Sequence, residues 1–327
     1  MNQLKPLVLL GLLLSGSSCN RFDDQQPTPD YGPPAGTVQA LTGRYPQAQD
    51  ILFTTLAPNQ LWQATFTQQR QRYQALTSPA QLLTADQLLD GAVPDSLARL
   101  LESTVVAGGT FSNLRLRHYE WHRTVVHPNG RLMYLYADYT WHQQPYTVYW
   151  SLAWPTTGRP YYNLHLLPFQ QTEYQTKTLT DIPELIRADL DRLGLTFRYA
   201  MIQVGPHGKR HYGLFAQQPS ALPTGQYWQL DYNEDGQLLA VTNPQTAQVF
   251  QRMDQLPPAI QAYLQQPAMA GFVLGQGGGA HGSPTRHTYG LLSTYQVSVQ
   301  KDNQRWLLIF SDNGQLISRS FLTYGSF

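Results

Sequence analysis

Three features predict an α+β fold of tandem small modules, each a helix packed on an antiparallel β-meander. Proline-headed amphipathic segments recur along the chain, runs of alternating apolar and polar residues follow them, and Asn-Gly or Asp-Gly pairs punctuate those runs. Composition agrees with this reading. Only 13% of the 327 residues are charged, whereas Gln, Thr, Tyr and Trp are abundant, a mixture suited to sheets with polar but uncharged faces.

The first element is not part of a module. Lys5 supplies a thin positive region, residues 6–14 an apolar run, and Ser15, Gly16, Ser17 and Ser18 the small residues that a signal peptidase needs. The run is too short for a spanning helix, which takes about 20 apolar residues. Cys19, the only cysteine, follows directly. This segment resembles the lipobox of Gram-negative lipoproteins, with Gly16 where leucine is usual and Leu14 two positions earlier. The resemblance implies a signal peptide over 1–18, lipid attachment at Cys19, and an outer-membrane anchor that leaves the protein facing the periplasm or the cell surface. A lone thiol cannot belong to a disulfide framework, so lipidation also gives Cys19 a role. Residues 19–37 are rich in Pro, Gly and Gln without apolar period and read as a flexible tether. Asp23 and Asp24 resemble the acidic tags of surface-exposed lipoproteins, and an ordinary solvated linker accounts for them too.

Charge narrows the partners. The chain has 22 Lys and Arg against 21 Asp and Glu, and the two balance once Lys5 leaves with the signal. No basic stripe runs along any segment, which argues against nucleic acid and leaves the lipid as the only expected membrane contact.

Four modules are expected, over 38–86, 87–175, 176–250 and 251–327. Val93-Pro94, Ile182-Pro183 and Leu256-Pro257 each head an amphipathic run, since proline is tolerated in the first helical turn, where its missing N–H has no partner to lose. Leu97, Leu100, Leu185, Ile186, Ile260 and Leu264 form the apolar stripes and are expected to be buried. Asn129-Gly130, Asp235-Gly236 and Asn313-Gly314 mark three hairpins, because such pairs accept positive φ. In the first module Gln39–Ala48 reads as a helix running into a turn, and strands are expected near 50–55, 61–66, 72–76 and 81–84.

Tyr45-Pro-Gln-Ala48, the Trp62-x-Ala-x-Phe66 strand, the Gln81-Leu-Leu83 strand and the Pro-headed helix at Val93 resemble the PepSY-like modules of the β-lactamase-inhibitor-like group. Segments 182–242 and 256–318 fit the same plan, while 111–170 is longer and richer in aromatics. The resemblance implies a helix-on-sheet fold used for binding or inhibition, and it implies no catalytic residues.

The residues offer few chemical motifs. Asp231-x-Asn233-x-Asp235-Gly236 matches the first half of a calcium loop, but the position of its bidentate glutamate is Thr242, and turn chemistry alone explains the pattern. Ser298-x-x-Lys301 and Ser311-Asp-Asn313 imitate two penicillin-binding motifs on a strand-like pattern with no third motif. His118, Glu120 and His122 share one strand face, too spread for one zinc ion. Gly275–Gly282 lacks the ending of a phosphate loop. No cofactor, metal or catalytic residue is expected, and the chain reads as a non-enzyme.

Function is expected on a sheet face. Met133, Leu135, Ala137 and Trp141 alternate with Tyr134, Tyr136, Asp138 and His142, and Tyr149 points away from Val148 and Trp150. Tyrosine joins a large apolar area to a polar tip, which suits partner surfaces. Tyr134, Tyr136, His142 and Tyr149 are therefore the expected contacts for another exported or envelope protein, with glycan binding as the alternative.

Overall fold

Each helix begins where a proline places it. A computed structural model of the chain describes residues 32–119, 132–153, 161–219, 226–243, 247–276 and 282–325. Cys19, the signal segment and most of the tether lie outside these, as do Asn129-Gly130 and the side chains of His118, Glu120 and His122. Helix α1 (Ala35–Arg44) follows Pro34, α2 (Asp95–Glu102) follows Pro94, α3 (Glu184–Arg192) follows Pro183 and α4 (Pro258–Leu264) follows Pro257. Helix α1 takes up the end of the stretch expected as tether, because Thr37 is buried and its hydroxyl donates to the Ser78 carbonyl at 2.9 Å.

Strands β1 (Gln49–Ala57), β2 (Leu61–Gln68), β3 (Gln71–Thr77) and β4 (Leu82–Leu88) follow α1. Helix α2 leads into β5 (Thr110–Tyr119), β6 (Leu132–Trp141), β7 (Gln144–Ala153), β8 (Tyr161–Pro168) and β9 (Thr172–Thr176). Helix α3 precedes β10 (Thr196–Val204), β11 (Arg210–Gln218), β12 (Gln226–Tyr232), β13 (Leu238–Thr242) and β14 (Gln248–Val249). After α4 come β15 (Val273–Leu274), β16 (Thr285–Tyr289), β17 (Leu292–Lys301), β18 (Gln304–Ser311) and β19 (Leu316–Gly325). Glycines at φ +75 and +80 close the β12–β13 and β18–β19 turns at Gly236 and Gly314. His142 and Gln143 close the β6–β7 turn at φ +48 and +61, a geometry that no turn-type residue advertises in sequence.

The strand pairing overturns the expected fold class. Tandem helix-on-meander modules are replaced by one 14-stranded antiparallel sheet in the order β1-β2-β3-β4-β5-β6-β7-β8-β19-β18-β17-β16-β14, with β15 on β17. Strand content, 53% against 18% helix among the described residues, makes the fold mostly β. Edge strands expected to bound separate modules pair instead: β4 with β5, and β8 with β19 from the far end of the chain. Joining edges satisfies backbone groups that separate small sheets would leave unpaired.

The helices follow the same logic. Leu41 of α1 packs on Ala64, Phe66 and Ala75, while Leu100 of α2 and Ile260 and Leu264 of α4 share one core with Val148, Trp150, Leu166, Leu308 and Phe321. Strand register carries this face from Ala75 to Ala85, and from Gln87 through Leu116 to Leu135, so α1, α2 and α4 all lie on one face of the long sheet. A second sheet, β13-β12-β11-β10-β9, stands on the opposite face. Its core joins Ile186 and Leu190 of α3 to Ile202, Leu214 and Leu230, and also to Leu61 and Leu76 of the long sheet. Leu100, Ile186, Ile260 and Leu264 are buried as expected, and Leu97 is half-buried. Leu185 is 68% exposed, because α3 meets its sheet through Ile186 and Leu190 and leaves Leu185 beside the Gly236 turn.

Candidate functional site

Direct cross-strand pairing builds a single row of side chains on the face opposite α2 and α4. The row runs Arg115 (β5), Tyr136 (β6), Tyr149 (β7), His165 (β8), Leu322 (β19), Arg305 (β18) and Gln300 (β17). Strands are about 4.8 Å apart, so one end of the row lies well over 20 Å from the other.

The β5 end is closed. Arg117 makes a two-pronged ion pair with Asp86, both contacts at 2.7 Å, and Arg115 donates to Asp138 at 2.8 Å. From the second sheet Glu173 approaches Arg117 at 3.5 Å and accepts a hydrogen bond from the Tyr136 hydroxyl at 3.2 Å, while Thr172 accepts from Arg117 at 3.3 Å. The Arg117 guanidinium stands 4.6 Å from the Tyr136 ring centre. Charges taken from water must be paired and hydrogen-bonded; every charge of this set is ion-paired, while the buried Arg115 Nε makes no hydrogen bond and only approaches Asp86 at 3.7 Å. Burial raises the Tyr134 hydroxyl above its ordinary pKa, and the Glu173 charge adds to the shift.

The second sheet brings further polar groups. Glu173, Gln203 and His211 are cross-strand neighbours on β9, β10 and β11, and Asp231 of β12 pairs with Gly213 on the same face. Burial pushes the Asp231 carboxyl from 3.8 up to about 6 against a hydrogen bond from Gln229, and burial lowers His211. Gly213 leaves the space into which Asp231 leans: its carboxylate oxygen lies 3.2 Å from where a Cβ would stand. Asn233, in the neighbouring turn, accepts from the backbone N–H groups of Asp235 and Gln237, so this residue of the half calcium loop serves the hairpin.

The β17 end is open. A cleft of about 610 Å³ is walled by Tyr161 and Tyr324, whose ring centres are 5.9 Å apart. Asn163, Gln300, Lys301, Asp302, Asn303 and Arg305 supply polar groups around it, with Leu322 and Val273 as apolar patches. Its rim is held by the core. Asn303 donates to the Tyr324 carbonyl at 2.7 Å, and Gln304 turns inward to accept from the Val105 N–H at 2.9 Å. Arg305 donates to Gln300 directly across the ladder at 3.4 Å.

Of the expected partner contacts, the structure brings Tyr134, Tyr136 and Tyr149 together, with ring centres 5.4–6.5 Å apart. Tyr136 is only 3% exposed, and Tyr149 stacks on His165 at 4.3 Å. His142 does not join them; the positive-φ turn carries it against Trp141, where the ring centres are 4.5 Å apart. Sequence reading missed Tyr161, Asn163, Tyr324 and Arg305. Alternation of Leu164 and Leu166 with Asn163 and His165 marks which residues of β8 face outward, but nothing in sequence pairs β8 with β19. Among the described residues no group of three His, Cys, Asp or Glu side chains is placed to hold a metal ion. Ser298 and Lys301 sit on a strand, not on the helical turn that a serine–lysine pair requires.

No family model matches the chain, and no curated protein matches it. The PepSY-like resemblance therefore stands on its motifs alone. The chain has a likeness to a solved structure of a candidate periplasmic protein of unknown function from Bacteroides vulgatus, at 13% identity over 45% of this chain and 98% of that one. The TM-score of 0.21 is too low for that likeness to bear on function. No helix among the described residues is long and apolar enough to cross a membrane.

Proposed function

We propose that this chain is a non-catalytic, exported binding protein, anchored by lipid at Cys19, that takes a glycan in the Tyr161–Tyr324 cleft. The observation that carries the reading is the pair of tyrosine rings 5.9 Å apart beside a strand-borne set of amide, ammonium and guanidinium donors. Sugar rings offer C–H faces that lie on aromatic rings and hydroxyls that such donors hold. Tyr324 is 48% exposed, so its ring is open to a ligand before any rearrangement. Docking of another exported protein on Tyr134, Tyr136 and Tyr149 has less support, because Glu173 and the second sheet already occupy Tyr136. Export and anchoring rest on the signal-like run before Cys19.

A glycan array probed with the tagged mature chain tests the site. Tyr324→Ala should cost roughly 2 kcal/mol of affinity for any glycan bound, the scale of an aromatic hot spot. Binding that survives this change places the ligand elsewhere. Cys19→Ser should move the protein from the membrane fraction to the soluble one, since stable anchoring needs more than one acyl chain. Retention of that variant on membranes at high salt contradicts lipid anchoring.

A further inference from the structure

Within that glycan-binding reading, we propose that the cleft selects a saccharide chain carrying carboxylates, with Lys301 and Arg305 as the groups that read the charge. Both cations line the cleft, and among the described residues neither forms an ion pair. The contrast lies in the same row, where Arg115 and its neighbour Arg117 are neutralised by Asp86, Asp138 and Glu173. Among the described residues the one carboxylate lining the cleft, Asp302, belongs to the exposed hairpin turn at φ +52, so Lys301 and Arg305 outnumber it there.

Both cations are placed before a ligand arrives. The Lys301 ammonium lies 3.3 Å from where a Cβ on Gly271 would stand, so a larger residue there would crowd the lysine. Gly271 has φ +82, a conformation glycine adopts without strain. Arg305 is steered by Gln300 across the ladder, its Nη2 donating at 3.4 Å while the rest of the guanidinium remains for a partner. A planar guanidinium matches a carboxylate with two parallel hydrogen bonds, and the Lys301 ammonium, reaching the same cleft from the Gly271 side, adds a point charge. Tyr161 and Tyr324 line the same cleft, on the face of the ladder that carries Arg305, and receive the ring that bears the carboxylate.

Calorimetric titration of the mature chain with a short oligogalacturonate, and with the same oligomer fully methyl-esterified, separates charge from ring recognition. The acidic oligomer should bind about tenfold more tightly at low salt, and added salt should shrink that preference because partly exposed charges are screened. Lys301→Gln with Arg305→Gln should bring the two affinities together, with the thermal unfolding midpoint confirming that the variant folds. Equal affinity of the two oligomers, both lost in Tyr324→Ala, overturns the charge inference and leaves the glycan site standing. Binding of neither oligomer overturns the charge inference, and a glycan array without any hit overturns the site itself. An acidic preference that persists in the double glutamine variant places the charge reader elsewhere and also refutes the proposal. A sulfated oligomer that outcompetes the carboxylated one overturns the assignment to carboxylate.

Discussion

Two groups of tyrosines stand on one face of the long sheet and meet different fates. Tyr134, Tyr136 and Tyr149 lie where β9 of the second sheet arrives with Glu173, and there Tyr136 is buried and its hydroxyl already paired. Tyr161 and Tyr324 lie beyond that cover, and there the same chemistry of ring, amide and cation is left facing a cleft. Outward-pointing tyrosines do not make a binding surface by themselves. What decides is whether another element, placed by long-range pairing, already occupies them.

The comparison is most severely tested at Arg117. Arg117→Leu strips buried Asp86 of its two-pronged partner and leaves it only Arg115 Nε at 3.7 Å, and equilibrium denaturation should show a loss of about 3–5 kcal/mol. A loss below about 1 kcal/mol means that the β5 end is wetter than its 2% exposed arginine side chain implies, and the contrast between the two ends fails.

The cover over Tyr136 comes from the second sheet, and that sheet depends on α3. Ile186→Ala should cost about 2–5 kcal/mol through lost burial and a cavity, whereas Leu185→Ala at the adjacent, exposed position should stay within about 0.5 kcal/mol. Comparable losses at both positions would contradict the way α3 sits on its sheet.

Asp231 gives the second sheet a pH dependence. Its folded pKa, about 6, lies above the ordinary 3.8, so the folded chain holds this proton more tightly than the unfolded one. The resulting stabilisation is complete below the ordinary value and is lost as pH rises through the folded one. Asp231→Asn should flatten stability over that window and raise it at neutral pH by roughly 1–3 kcal/mol relative to wild type. An unchanged pH profile in the variant assigns the slope to other groups.

The smallest effect separates the two tyrosine groups directly. Tyr136→Phe removes the hydroxyl bonded to Glu173 and should destabilise the fold by about 1 kcal/mol, while Tyr324→Phe should leave stability unchanged. If both changes are neutral, Tyr136 is not held as the closed end requires.

Local chemistry made much of this protein legible. Proline at 94, 183 and 257 started helices because the ring's φ and missing N–H suit a first turn, and Asp235-Gly236 and Asn313-Gly314 closed hairpins because glycine accepts positive φ. Alternation sorted the residues of β6 and β7 into a face with Ala137, Val148 and Trp150 and a face with Tyr134, Tyr136 and Tyr149. These signals span a few residues, and the sequence by itself determined the elements, their order and which side of each strand is apolar. It did not determine which edges meet. That β4 continues into β5, that β8 pairs with β19, and that β9 brings Glu173 to Tyr136 are contacts between distant parts of the chain, which no local pattern encodes. The tertiary structure decided them because unpaired strand edges and unmatched buried charges are costly, and merging the sheets satisfies both at once.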